Sequence, residues 1–409
     1  MVDSVSVALI ISALIILIGF LANYFFNKTG LPDMLILIFL GALFGPVLGA
    51  FDPTAVKSFA PYIAALALAY ILFDGGMGLN IKRVLHNSPR AVLLAVLGFV
   101  FSVLGVCTFM VLVFNVPLIY GLLFGSIFGG SSSVAVISLA SKIKINEKGS
   151  IILILESALT DILCVVISLS LIDVIVTGQA DVGAICAGIA GKFLIGIAIG
   201  LALGFAWMFA LRRVASLPFS YMLTLGIVLL GYAASEGIGG SGALSALLFG
   251  LILGNERDFL KFFRRNNLSR RNNLSEQNGK LVLSVSKGLK RFQAEIAFLI
   301  RTFFFVFLGI IFSCSSFVLL LSGILLAFIL FVTRFGAVWL TTLKSPLIKD
   351  REIMTVVLTR GLAAAVLATL PAQFGLLYSD IFVDIAVVVI VTTAIMATIG
   401  SMVISRQST

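Results

Sequence analysis

Thirteen apolar stretches follow one another through this chain, with only short polar breaks between most of them. They run roughly over 5–26, 32–50, 59–79, 91–114, 117–141, 149–176, 182–211, 218–236, 240–255, 293–313, 315–343, 352–372 and 381–404. A helix needs about 20 apolar residues to cross a bilayer. Inside lipid every backbone N–H and C=O must be satisfied by the chain itself, so only helices and closed barrels can span. The stretches are continuous rather than alternating over ~10 residues, which excludes a barrel. Composition agrees: 60% of the 409 residues are hydrophobic and 11% are charged, against roughly 25% charged in a soluble domain. The expected fold is an all-α integral membrane protein of about thirteen transmembrane helices.

The net charge is +10, and its placement carries more information than its size. With the N-terminus outside, 23 of the 28 basic residues fall in inward loops or the C-terminal tail, and Lys57 alone falls outward. The other four, Lys192, Arg301, Arg334 and Arg360, lie within apolar stretches. Cytoplasmic loops of membrane proteins carry such an excess of Lys and Arg. A miscounted helix would flip every later loop and spoil the pattern. The expected topology is N-terminus out and C-terminus in, in a cell (plasma) membrane.

An odd count fits six helices (1–176), a linking helix (182–211) and six more (218–404), followed by a short tail (405–409). The two halves would then have opposite orientation, as in inverted-repeat transporters. The second half holds a polar cytoplasmic loop, 255–292, with a tandem RRNNLS at 264–269 and 270–275. The basic residues from Arg257 to Arg291 are expected to attract anionic lipid headgroups, a regulatory partner site being the alternative. Residues 281–300 read as an interfacial helix leading into the tenth stretch.

Several function classes drop out. The basic residues flank membrane segments rather than lining a soluble face, so nucleic acid is not the partner. Cys107, Cys164, Cys186 and Cys314 lie in or beside apolar stretches and read as core residues. The one histidine, His86, sits in a basic loop. The first apolar stretch is full length and lacks a basic leader, so no cleavable signal is expected. No phosphate loop, nucleotide fingerprint or nucleophile triad is present. Transport would be secondary or passive, with no cofactor and no enzymatic step.

Four constellations carry the chemistry. Glu156 and Asp161 stand in an otherwise uncharged run, Ile151–Ile172. Ionisable groups at membrane depth cost roughly 2.5–3.5 kcal/mol or more, and they mark ion or proton paths. Ser157 and Asp161 share one helical face; Glu156 and Thr160 share the next. Oxygen ligands suit hard cations. The structural alternative is an acid pair that only holds helices together. Gly129-Gly130-Ser131-Ser132-Ser133 weakens the fifth helix, either to free carbonyls for a cation or as a small-residue packing site. Arg360, beside Gly361, needs a counter-charge, and Glu156 is the candidate; pairing with lipid near the interface is the alternative. Asp74, in Phe73-Asp74-Gly75-Gly76-Met77, either reaches the cavity or caps its helix. Glu236, Glu295, Arg301, Arg334, Lys192 and Asp384 read as interfacial or structural.

Taken in order, these residues resemble the monovalent cation/proton antiporter superfamily, and most closely its sodium/proton exchanger branch, NhaP-like members included. Leu31-Pro32-Asp33 with Gly41 and Gly45-Pro46 resembles the family's early helix. Phe73-Asp74-Gly75-Gly76 resembles its Phe-(acid)-Gly-Gly, and Glu156-Ser157-Ala158-Leu159-Thr160-Asp161 its Glu-Ser-x-x-Asn-Asp. Ser241-Gly242-Ala243, Gly250 to Asn255, Phe305 to Gly309 and Arg360-Gly361 fit further family stretches. The resemblance implies an inverted-repeat homodimer in which segments five and twelve are broken and cross near the ion site. It implies Asp161 as the shared cation/proton carboxylate and Glu156–Arg360 as a structural ion pair. Ser157, Thr160, Ser131, Ser132 and Asp74 would complete the ion shell. The family usually has Asn where this chain has Thr160, and Thr-Asp-Pro where it has Ser131-Ser132-Ser133, so one acid is absent at Ser132.

The expected activity is exchange of Na+ or K+, with Li+ as a third candidate, for a proton, one for one. A channel or uniporter, or an organic-anion symporter on a similar fold, are the other readings.

Overall fold

The structure is a computed structural model, and it describes residues 4–29, 32–49, 56, 58–79, 89–132, 136, 147–178, 182–214, 219–256, 258–260, 275–313, 316–343 and 345–407. Among them there is no strand. The helices are α1 (Ser4–Thr29), α2 (Asp33–Ala42), α3 (Ala60–Gly78), α4 (Pro89–Phe114), α5 (Leu118–Ile127), α6 (Glu147–Thr177) and α7 (Val182–Val214). They continue with α8 (Ser220–Gly237), α9 (Gly242–Gly254), α10 (Ser275–Ile311), α11 (Phe317–Thr342), α12 (Arg351–Val356), α13 (Leu362–Gln373) and α14 (Ser379–Gln407). Each apolar stretch of the sequence contains at least one of these helices. Eight of the described helices are long and apolar enough to cross a membrane alone.

Burial separates two kinds of helix. α1 exposes Leu9, Leu17, Phe20, Leu21 and Phe25. An exposed face made of large apolar side chains is stable in lipid rather than in water. The short helices behave differently: Ala363 to Pro371 of α13 and Leu123 to Ile127 of α5 are buried in unbroken runs. Short helices surrounded by protein are where irregular backbone can be tolerated at membrane depth.

The chain divides into two compact units. The first comprises residues 1–65, 87–178 and 299–409; the second comprises 66–86 and 179–298. In the first, Gly41 of α2 lies against the Val306 carbonyl and Gly309 of α10, leaving no room for a Cβ. Arg301 of α10 pairs with the buried Asp33 at the start of α2 at 3.0 Å. α2 then widens into a π-turn over Leu43–Val47 at Pro46, whose missing N–H breaks the α register. In the second unit, Gly76 of α3 lies against the Leu247 carbonyl of α9, and Gly250 of α9 against Phe73 of α3. Small residues of this kind let helix backbones approach in lipid.

Residues 281–300 are helical. They belong to α10, which runs unbroken for 37 residues into the tenth apolar stretch. No Pro or Gly pair interrupts that stretch, so nothing in it forces a stop. Both RRNNLS repeats, apart from Ser275, lie outside the described residues.

Candidate ion-binding site

Segments five and twelve are both interrupted. α5 ends at Ile127, and residues 128–132 are not helical. Gly129 and Gly130 are poor helix formers, and serines compete for backbone groups. In segment twelve, α12 stops at Val356 and α13 starts at Leu362, leaving 357–361 extended or irregular. The two gaps meet: Ser132 N donates to Thr359 O at 2.7 Å. Gly361 permits that approach, because a Cβ there would fall 2.7 Å from Ser132 Cβ.

α6 packs along this crossing and supplies the acids. A Cβ on Gly130 would sit 2.9 Å from Cys164 Sγ and 3.3 Å from the Thr160 carbonyl, so only glycine lets the gap rest on α6. Ser157 Oγ donates to Ser131 O at 2.6 Å. Thr160 Oγ1 donates to Ser157 O at 3.0 Å and accepts from Ser131 N at 3.3 Å. Ser131 Oγ donates to both Glu156 oxygens at 3.2 Å. Ser131, Ser157 and Thr160 are therefore spent largely on holding the broken backbone against α6. Thr160 does not spend its proton on Asp161, as a ligand-positioning role would ask.

The structural ion pair differs from the expectation. Glu156 pairs with Arg334 of α11, not with Arg360. Arg334 Nη1 lies 2.8 Å from Glu156 Oε1 and Nη2 lies 3.1 Å from Oε2, while Nε donates to Met354 O at 3.1 Å. Such a planar fork on a carboxylate is the strong form of a buried pair. Arg360 instead donates through Nη1 to Gly130 O and through Nη2 to Ser102 Oγ at 3.4 Å. Its backbone N–H goes to Thr393 Oγ1 at 3.2 Å. The physical reason is local. The gap after α5 leaves carbonyls without helical partners at the negative end of that helix, and they accept a guanidinium. Arg334 lies inside a continuous helix that offers it no freed carbonyl of its own, so it needs the carboxylate.

Asp161 stands apart from this network. It lies near the middle of α6, is half-buried, and has no hydrogen bond or ion pair among the described residues. The charges that act on it are those of Glu156 and Arg360. With Glu156 neutralised by Arg334, Arg360 is the nearby cation not bound to a carboxylate. Ser132 is half-buried, and its hydroxyl has no partner among the described residues. Asp74 belongs to the second unit, near the end of α3, where it is exposed.

Three of the acids read as interfacial or structural have partners of that kind. Glu236 Oε1 accepts from Gly242 N at 2.7 Å, at the start of α9. Asp384 accepts from Ser313 N at 3.0 Å and Ser313 Oγ at 2.7 Å. Glu295 makes an exposed pair with Arg291. Cys107 and Cys164 are buried free thiols.

The sequence profile of the family described as "Sodium/hydrogen exchanger, transmembrane" matches residues 10–405. The K(+)/H(+) antiporter NhaP2 of Shewanella sp. (strain MR-4) is 29% identical over 404 residues, which cover 96% of this chain and 65% of that protein. The Na(+)/H(+) antiporter ApNhaP of Aphanothece halophytica is 28% identical over 233 residues, 56% of this chain and 43% of that one. The chain thus spans about two thirds of the length of the NhaP2 relative. The solved structure of the sodium proton antiporter MjNhaP1 from Methanocaldococcus jannaschii at pH 8 superposes with a TM-score of 0.75 at 22% identity. That match covers 99% of this chain and 98% of the other, and it fixes the fold. A profile match over nearly the whole length, on a helical scaffold of this kind, places the chain in the sodium/hydrogen exchanger transmembrane family.

Proposed function

We propose that this chain exchanges a monovalent cation, Na+ or K+ with Li+ as a third candidate, for a proton by alternating access, with Asp161 as the shared site. The observation that carries the reading is a carboxylate without a partner among the described residues, half-buried, beside two crossed helix gaps. Relatives that exchange K+ or Na+ for protons support it.

Asp161 would hold one proton or one cation at a time. A bare carboxylate moving through a low-dielectric interior is costly. Arg360 offsets part of that cost through space but makes no hydrogen bond to the carboxylate. The remaining penalty favours transit of the loaded forms and so enforces exchange over leak. Ser132 and Thr160 add no second acid, so the cycle is one for one and electroneutral. The Ser132 hydroxyl is the favoured additional ligand among the residues beside the gap. Ser157 and Ser131 act chiefly through the backbone they hold.

We take the wider frame to be thirteen helices in two inverted six-helix repeats about α7, N-terminus out, assembled as a homodimer in a plasma membrane and serving pH homeostasis. Under that repeat each segment matches the one seven places on. The gap in segment five then corresponds to that in segment twelve. The glycine contact of α2 with α10 corresponds to that of α9 with α3.

The test is a pH-reporting proteoliposome. Adding Na+, K+ or Li+ should drive proton flux that is indifferent to clamped voltage. The rate should fall steeply as the cation side is acidified, because protons then outcompete the cation. Flux that follows voltage without proton coupling would replace the exchanger with a channel.

A further inference from the structure

Resting on the Asp161 reading, we propose that the Thr359 hydroxyl is a ligand of the transported cation and a determinant of which cation is taken. Thr359 lies in the irregular stretch between α12 and α13 and is completely buried. Its carbonyl is fixed by Ser132 N at 2.7 Å. Its Oγ1 has no hydrogen-bond partner among the described residues.

That orphan has a structural cause. Most buried threonines in these helices discharge their hydroxyl onto a carbonyl three or four residues back, Thr302 of α10 being an exception. Thr342 does so to Val338 O, Thr393 to Val389 O and Thr398 to Ala394 O, each at 2.8 Å. Thr369 does so to Val366 O at 2.7 Å. At Thr359 the helix is open, so no such carbonyl is presented. A buried polar atom left without a partner calls for an explanation, and an ion or water is the usual one.

The position suits a cation. Through the Ser132–Thr359 bond the backbone of Thr359 is tied to the gap that Ser131 anchors on α6, at Thr160 next to Asp161 and at Ser157 one turn before it. The next residue, Arg360, is one of the two charges acting on Asp161. Its guanidinium is committed to Gly130 O and Ser102 Oγ, with Nε left unpaired. A neutral hydroxyl oxygen supplies what a hard cation wants without adding charge. Hydroxyl ligands discriminate among monovalent ions by spacing rather than by charge, so losing one alters the ratio between ions as well as the affinity for each.

The experiment is cation-dependent proton flux in proteoliposomes containing the full chain, for wild type, Thr359→Val, Thr359→Ser and Asp161→Asn. Thr359→Val is nearly isosteric and removes only the oxygen. Its KM for the preferred cation should rise about tenfold, the size of a lost charge-assisted contact, with the maximal rate within about twofold. The ratio of KM values among Na+, K+ and Li+ should change, and Thr359→Ser should restore the wild-type values. Should Thr359→Val fail to insert, Thr359→Ala gives the same readout without added volume. Unchanged KM values for all three cations, or equal shifts in the valine and serine variants, would overturn the proposal. If these occur while Asp161→Asn is inactive, this inference alone fails. If Asp161→Asn still exchanges, the reading beneath it fails.

Discussion

Five residues apart on α6, two carboxylates have opposite surroundings. Glu156 is buried, gripped by the Arg334 fork and capped by Ser131 Oγ. Asp161 is half-open and has no partner among the described residues. The sequence is nearly the same around both, an acid in a run of leucine, isoleucine and alanine. What differs is what the neighbouring helices bring. A continuous helix brings an arginine to one, and a broken helix brings an open gap to the other. A saturated carboxylate is a rivet; an unsaturated one can change its passenger.

The largest expected effect tests the open member. Asp161→Asn should reduce cation-driven proton flux to the background of empty vesicles while the purified protein melts as wild type does. Substantial residual exchange would erase the distinction between the two acids. The next effect tests the rivet. Arg334→Ala, or Glu156→Ala, strands a buried charge and should cost about 3–5 kcal/mol of stability, read by chemical denaturation of the purified protein. Replacing both, Glu156→Leu with Arg334→Met, should recover most of that loss, because an ion pair and a packed apolar pair of similar volume are often equivalent. If Arg360→Met proves as damaging as Arg334→Ala and the Leu/Met double variant recovers nothing, the pairing described above is wrong. The smallest effect probes the gap itself. Gly361→Ala pushes a methyl into Ser132 and should cost about 1–3 kcal/mol, as overpacking does, with exchange slowed in proteoliposomes. An alanine variant with wild-type stability and rate would show that the crossing tolerates separation.

Much of this was legible in the chain. The apolar stretches gave the helices because lipid leaves the backbone few options. Gly129-Gly130 followed by serines marked the first gap, since weak helix formers beside competing hydroxyls have a local signature. The partner of Glu156 did not, because two lone arginines, Arg334 and Arg360, satisfied the same charge count. A finer physical question could have separated them. Arg360 sits in a gap whose freed carbonyls can take its N–H groups, whereas Arg334 sits in an intact helix and has fewer ways to do without a carboxylate. The contacts of Ser102 and Thr393 with Arg360 left no trace, because single hydroxyls in apolar helices are commonplace and their partner lies far along the chain.

The main-chain bond from Ser132 to Thr359 has one more implication. At that depth no water waits to replace a broken backbone contact. Neither interrupted segment can therefore slip past the other cheaply, and any shift of one drags its mate along. The crossing behaves as a soldered joint rather than a pair of sliding gates, so the alternating access proposed above would draw its motion from bending elsewhere in the scaffold.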